Sequence, residues 1–262
     1  MNEQLIQNFK KKLLAGKPVF GPFMKTCDPG FVEAAGYAKM DFVILDMEHG
    51  PINIQSMQNN IRAAQNAEIL PVIRVADLTE EAIGKALDIG AAAIEIPKIS
   101  TAAEARLAVK YAKFSPAGER GVCRFVRAAH YSAMSKETYF RTANDTIVIA
   151  QIEGREAIEN LNEILSVEGI DIVFIGPYDL SQSLGVPGQV HHPRVVTEMD
   201  KIVKAAKKRN IVVGTFTDSK AMMEKWMKSG VQYISYSVDM GIFYDACRKL
   251  TEQFHQFEAA IF

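Results

Sequence analysis

Eight short runs rich in Val, Ile and Phe, each separated from the next by a segment of helical periodicity, constrain this chain more than any other feature. They read as strands at 19–26 ("VFGPFMKT"), 42–48 ("FVILDME"), 69–75 ("ILPVIRV"), 92–98 ("AAIEIPK"), 147–153 ("IVIAQIE"), 170–176 ("IDIVFIG"), 211–216 ("IVVGTF") and 233–238 ("YISYSV"). Several are apolar on both faces, as parallel strands covered by helices must be, and patterns such as "DPGFVEAAGYAKM" and "TAAEARLAVKYAKF" supply the helices. Eightfold alternation predicts a (β/α)₈ barrel. A doubly wound open sheet is the competing α/β fold, but its Gly-rich phosphate turn is missing, since "KTCDPGF" after the first strand has one Gly. A length of 262 residues suits one barrel over 1–262, and no Pro/Gly/Ser linker marks a second domain.

In such a barrel, function gathers where strands end and loops begin. The strand ends here carry Lys25, Asp46, Glu48, His49, Arg74, Lys98, Gln151, Glu153, Asp179 and Asp218, and two intervals, 99–146 and 177–210, are overlong. A net charge of −1 gives no electrostatic reason to expect nucleic acid or an anionic membrane as partner, so a small-molecule ligand is expected. Cys27, Cys123 and Cys247 form neither a disulfide framework nor a zinc spacing. The start "MNEQLIQNFKKKLLAGKPVF" lacks the apolar core of a signal peptide, and no apolar run approaches the ~18 residues of a membrane span. A cytoplasmic protein is expected.

Glu153 and Asp179 follow the fifth and sixth strands, whose backbones would lie about 4.8 Å apart, so their carboxylates can converge on one cation. Two carboxylates without Cys or His describe a site for a hard divalent ion, Mg²⁺ or Mn²⁺, with positions left for a chelating substrate; two solvated acids are the alternative. Arg74, ending an otherwise apolar strand, must be paired or reach the mouth, where its planar fork suits a carboxylate. His49, on the loop after the second strand, is a candidate general base, although a lone His is more often structural. Backbone amides around "GPYDLS", from Gly176 through Tyr178, could hold an anion. Lys98 raises a Schiff-base alternative. Together these groups suit a 2-oxo acid whose enolate is held by metal and Arg74.

At this point the segments "FVILDMEHGP", "PVIRV", "ALDIGAAAIEIPKI", "GERGV", "QIEGREAIENLNEILSVEGIDIVFIGPYDLSQSLGVPGQVHHPRV" and "SGVQYISYSVDMGIF" carry a resemblance that covers nearly the whole chain. The chain resembles the HpcH/HpaI aldolases, class II metal-dependent enzymes that act on pyruvate within a TIM barrel of the phosphoenolpyruvate/pyruvate-domain type. By that resemblance Glu153 and Asp179 match metal ligands, with Co²⁺ a further candidate ion beside Mg²⁺ and Mn²⁺. Arg74 matches the carboxylate and enolate binder, His49 the acid/base, Gln151 a polar contact to substrate, and Gly176 and Tyr178 the turn that receives the pyruvate carboxylate. Asp88 in "ALDIGA" matches the acid paired with the histidine, yet it precedes the fourth strand and so belongs at the opposite end of the barrel. The resemblance therefore implies that Asp88 arrives from a neighbouring subunit of a homo-oligomer, a hexamer in the family, whose C-terminal helices are exchanged.

Departures from the family pattern are Cys123 and Arg124 in place of small residues, Tyr178 in place of Ala, and Phe23 in place of Trp. Taking "SAMSKETYFRTAND" as the fourth barrel helix makes 99–133 the loop after the fourth strand, from which Arg124 and Arg127 overhang the mouth. That placement favours an acceptor with a second carboxylate, an interface role being the alternative. The expected activity is cleavage of a 4-hydroxy-2-oxo acid to pyruvate and an aldehyde. The rivals are a decarboxylation or citrate-forming condensation of oxaloacetate, and a barrel kept only for binding or assembly.

Overall fold

The computed structural model describes residues 2–262 and forms a closed barrel of eight parallel strands in sequence order. The strands are β1 (Val19–Met24), β2 (Phe42–Asp46), β3 (Leu70–Arg74), β4 (Ala93–Ile96), β5 (Ile147–Ile152), β6 (Ile172–Ile175), β7 (Val212–Thr217) and β8 (Tyr233–Val238). Around them lie α1 (Asn2–Leu14), α2 (Pro29–Tyr37), α3 (Ile54–Asn66), α4 (Glu80–Asp88), α5 (Ala102–Ala112), α6 (Lys136–Ala143), α7 (Arg155–Glu159), α8 (Leu161–Ile164), α9 (Pro177–Ser183), α10 (Pro193–Lys208), α11 (Lys220–Ser229) and α12 (Asp239–Ile261). Every strand expected from the sequence is present within three residues at each end. No described helix is long and apolar enough to cross a membrane.

Period-two alternation explains why both strand faces are apolar. One set of side chains, including Phe42, Ile44, Val72, Ile149, Ile172 and Phe174, fills the barrel interior. The alternate set, such as Val43, Leu45, Ile73, Ile94, Val148 and Val173, packs outward on helix residues Met57, Ile61, Ile83, Ala105 and Ile202. At the N-terminal end of the strands, α1 closes the interior with Ile6, Phe9 and Leu13; Phe9 lies edge-on to Phe42 and Tyr233, which stack on each other at 4.1 Å. Local signals set the helix starts: Asn53 accepts from the amides of Gln55 and Ser56, and Thr101 forms a capping box with Glu104. Caps of this kind each contribute about 1 kcal/mol.

The fourth barrel helix is α5, directly after β4, with Ala102, Ala105, Ala108 and Ala112 buried. This corrects the expected placement of 99–133 at the mouth. Residues 113–146, including α6, precede β5 and so lie at the N-terminal end of the barrel, where Phe114, Ala129 and Tyr139 form their own apolar cluster. Both 134–145 and 102–112 have helical periodicity, but only the second is rich in small residues that dock closely on strands. At the other end of the chain, α12 extends with Met240, Phe243, Leu250, Phe254 and Phe257 exposed.

Candidate active site

Parallel pairing places Asp46 opposite Arg74 and Arg74 opposite Glu95, so three ionisable side chains share one level of the barrel wall. Arg74 donates from Nε to Asp46 Oδ1 at 2.9 Å and from Nη2 to Oδ2 at 2.8 Å, a bidentate pair with both residues buried. Its Nη1 lies 3.1 Å from Glu48 Oε2, and its guanidinium stands 4.6 Å from the centre of the Phe23 ring. Asp46 Oδ1 also accepts the amides of Glu48 and His49 at 3.0 and 3.3 Å, which fixes the turn after β2. Burial opposes the charge of Asp46, but the hydrogen bonds and charge of Arg74, aided by the His49 amide and Lys25, outweigh it and hold the carboxyl below its ordinary range. The quoted carboxylates of "DMEH" thus hold an arginine and a histidine loop in place.

Glu153 stands across this group, just past β5 and 6% exposed. Its Oε1 accepts the Lys98 amide at 2.8 Å, and its Oε2 accepts from Gln151 Nε2. Lys98 reaches that position in a left-handed conformation, φ 57°, which costs about 1 kcal/mol or more in a residue with a Cβ. Gly176 is needed for space: a Cβ there would stand 2.6 Å from Glu153 Oε2 and 3.1 Å from Gln151 Nε2. Burial, with repulsion from Asp179 and Glu48, raises Glu153 to about 7 against the pull of the Gln151 and Lys98 hydrogen bonds. Asp179 lies in the first turn of α9.

A cavity of about 330 Å³ opens between these walls, lined by Phe23, Lys25, His49, Arg74, Gln151, Phe174, Gly176, Tyr178, Asp179, Phe216 and Val238. Of the candidates named from sequence, His49, Arg74, Gln151, Gly176, Tyr178 and Asp179 line it together, and Glu153 abuts it through Gln151 and Gly176. Tyr178 is half exposed and donates to Asp218 Oδ2 at 2.8 Å. The Gly176 amide donates to the Ile152 carbonyl at 3.1 Å, so its own N–H is committed to the strand end. Among the described residues no three His, Cys, Asp or Glu side chains converge closely enough to hold a metal by themselves. Glu153 and Asp179 fit a hard divalent ion as a pair: a desolvated carboxylate, a second acid repelling it, and a glycine that keeps the approach open.

Two expectations are corrected. Arg124 and Arg127 do not overhang the mouth of their own barrel: Arg124 Nη2 donates to the Ser132 and Met134 carbonyls at 3.1 and 2.7 Å, tying a turn in which His130, Tyr131 and Ser132 are all left-handed. Arg127 donates to the Ile89 carbonyl at 3.0 Å and to Gln65. Lys98 pairs its ammonium with Glu48 Oε1 at 2.8 Å, and that hydrogen bond and charge raise its pKa, which leaves it protonated and unsuited to Schiff-base attack. Asp88 lies, as the strand order required, at the far end of the barrel, 2.7 Å from Arg120.

The match to a family description that calls itself HpcH/HpaI aldolase/citrate lyase runs over residues 20–246. The chain belongs to that family. Among HpcH/HpaI relatives, a 2-keto-3-deoxy-L-rhamnonate aldolase of Klebsiella pneumoniae is 35% identical over 248 residues, which cover 94% of this chain and 92% of the relative. A crystal structure of an HpcH/HpaI aldolase/citrate lyase family protein from Burkholderia cenocepacia superposes with a TM-score of 0.90 at 30% identity, covering 95% of this chain and 99% of that one. The citrate synthase SbnG superposes with a TM-score of 0.86 at 29% identity, covering 95% and 98%. As an HpcH/HpaI protein the chain is an enzyme, a carbon–carbon lyase.

Sequence reasoning named strand-end residues that line this cavity but missed the contacts that Glu48 and Glu95 make or lack beside it. Glu48, 6% exposed at its side chain, joins Arg74, Lys98 and His49, whose Nε2 is 3.8 Å away. Glu95 is fully buried inside the barrel with neither carboxyl oxygen hydrogen-bonded among the described residues, and burial raises it to about 8 despite the pull of Arg74. Aligning the strand ends in parallel register, Asp46 with Arg74 with Glu95, would have grouped these residues from sequence.

Proposed function

We propose that this enzyme is a divalent-metal-dependent aldolase, cleaving a 4-hydroxy-2-oxo acid reversibly to pyruvate and an aldehyde in the cytoplasm. The observation that carries the reading is one cavity with Arg74 and His49 on one side and the Glu153–Asp179 carboxylates on the other. The similarity to a 2-keto-3-deoxy-L-rhamnonate aldolase supports the same reaction class. Three free cysteines support a reducing compartment.

Glu153 and Asp179 would hold Mg²⁺, Mn²⁺ or Co²⁺, which when bound supplies Lewis-acid polarisation of the 2-oxo group, worth several kcal/mol of charge stabilisation. His49 takes the proton of the C4 hydroxyl. The O–H pair becomes the second bond of the aldehyde, the C3–C4 bond breaks, and its electron pair passes into the pyruvate enolate. Arg74, whose three contacts to Asp46 and Glu48 leave two N–H bonds, stabilises the charge on the enolate oxygen. The proton taken up by His49 then goes to C3, so none is gained or lost overall. Gln151 and the Tyr178 turn position the acid end of the substrate, and Asp88 of a neighbouring copy orients His49. A homo-oligomer, hexameric and exchanging α12, is supported by the exposed apolar side chains of that helix.

Pyruvate release from racemic 4-hydroxy-2-oxo acids, with and without a chelator, tests this. Activity should vanish on metal removal and return with Mg²⁺ or Mn²⁺, and Glu153→Gln should lower it on the order of 10³-fold while the protein still folds. Full activity after exhaustive metal removal would refute the mechanism. The likeness to a citrate synthase favours one second reading, condensation at oxaloacetate with acetyl-CoA, which citrate formation or oxaloacetate loss would reveal.

A further inference from the structure

The barrel interior beside the cavity holds an acid that the reaction derived above does not use. Glu95 is fully buried, and among the described residues neither of its carboxyl oxygens has a hydrogen-bond partner. Arg74 is its neighbour at the same level of the sheet, yet turns its guanidinium to Asp46 and Glu48 instead. A carboxylate shut in without a donor is costly, so the group keeps its proton. Burial lifts it to about 8, Asp46, Glu153 and Glu48 push the same way, and Arg74 pulls against them. A protonated carboxyl has one O–H to donate.

The complementary acceptor lies one strand away. Gln151 is 2% exposed; its Nε2 donates to Glu153 Oε2, while its Oε1 is buried and without a donor among the described residues. In the β4–β5 register Glu95 is level with Ile149, and Gln151 is the next residue of β5 on the same inward face. Strand spacing and rise put the two Cα atoms about 8 Å apart, within reach of two side chains of this length. The inward hydroxyls of Tyr233 and Ser235, also unpartnered, belong to β8, three staves from β5. Turned the other way, the Gln151 amide would set its carbonyl oxygen against the Glu153 carboxylate; turned as it is, that oxygen lies on the far side from Glu153 and needs a donor there. We infer that Glu95 is a positioning residue: its carboxyl O–H donates to Gln151 Oε1, which fixes the amide with its NH₂ on Glu153. The hydrogen bond stands on burial, register and the two matching unpartnered groups. Its bearing on catalysis rests on the aldolase reading above, in which Glu153 holds the metal and Gln151 meets the substrate.

The test uses the full-length enzyme loaded with Mg²⁺ at neutral pH. Infrared difference spectra should show the C=O band of a protonated carboxylic acid that is missing in Glu95→Gln and moves to higher wavenumber in Gln151→Met, where the acceptor is gone. A parent without that band, a band that survives Glu95→Gln, or one unmoved in Gln151→Met overturns the inference. Exchange of the pyruvate methyl protons with deuterium, followed by NMR without any aldehyde, reads the consequence. Glu95→Met, which cannot donate, should slow exchange about 10- to 100-fold, and Glu95→Gln, whose amide N–H can donate but not ionise, should keep most of the parental rate. In the Gln151→Met background, Glu95→Met should cost nothing further, because the acid acts through that amide. Losses that multiply in the double variant reduce Glu95 to packing and overturn its role, as does a Glu95→Gln enzyme as slow as Glu95→Met. If the parent shows no Mg²⁺-dependent exchange, the aldolase reading fails, while the infrared band still decides the hydrogen bond.

Discussion

The two ends of the barrel use the same residue types for different work. At the mouth, cations face carboxylates: Arg74 meets Asp46 and Glu48, and Lys98 meets Glu48. At the base, cations mostly face the backbone. Lys113 donates to the Asn144 and Thr146 carbonyls, Arg124 to those of Ser132 and Met134, and Arg127 to that of Ile89. A base cation satisfies buried acceptors of an irregular segment that has no strand to pair with. A mouth cation instead lies in a field of acids that a substrate or metal can rearrange. Charge is therefore informative about chemistry here only once its partner is known.

The sharpest break in this comparison concerns Asp88, the base residue assigned a task at a mouth. His49→Ala and Asp88→Asn should each leave little activity, while unfolding and refolding the two together should restore up to about a quarter of the parental rate, through sites built from one intact half of each subunit. Recovery near zero would return Asp88 to a purely local role as the partner of Arg120. Stability distinguishes the ends next. Arg74→Met strands the buried charge of Asp46 and should cost about 3–5 kcal/mol in denaturant unfolding, whereas Arg124→Ala, losing bonds to two carbonyls, should cost about 1–3 kcal/mol.

A smaller contrast appears with pH. Glu95 rises from 4.5 unfolded to about 8 folded, so between those values the folded state holds the extra proton and stability falls as pH rises. Lys113, desolvated at the base, drops from 10.5 to about 8, so above that value the unfolded state holds the extra proton and stability rises with pH. Stability should pass through a minimum near pH 8, with Glu95 and Lys113 each contributing at most about 1.4 kcal/mol per pH unit to its limb and Glu153, raised to about 7, steepening the acid limb below that value. Glu95→Gln should flatten the acid limb and Lys113→Met the alkaline one, as denaturant midpoints across pH would report.

Much of this was legible in the sequence because parallel barrel strands are apolar on both faces and so announce themselves as runs. The polar interruptions "LDMEH", "VIRV" and "QIE" then mark one end of each run, which is why the cavity-lining residues could be named. What stayed hidden depended on register and docking. Nothing in "FVILDME" or "PVIRV" alone says that Asp46 and Arg74 stand side by side, and nothing in "AAIEIP" says that Glu95 is an acid shut inside the barrel. Arg124 was misplaced because two helical segments follow β4 and periodicity does not rank them; the close packing of the alanines in α5 does.

The first and last strands of the barrel lie side by side, Val19 against Tyr233, and the loop after β1 is pinned by Asp239, 214 residues further along from Lys25. During synthesis, then, the stretch around Lys25 is made long before the residue that secures it. Until the ribosome has released the stretch beyond residue 239, the nascent chain holds an unclosed sheet with an unfinished binding pocket, so the enzyme gains its shape and its competence in the same late step.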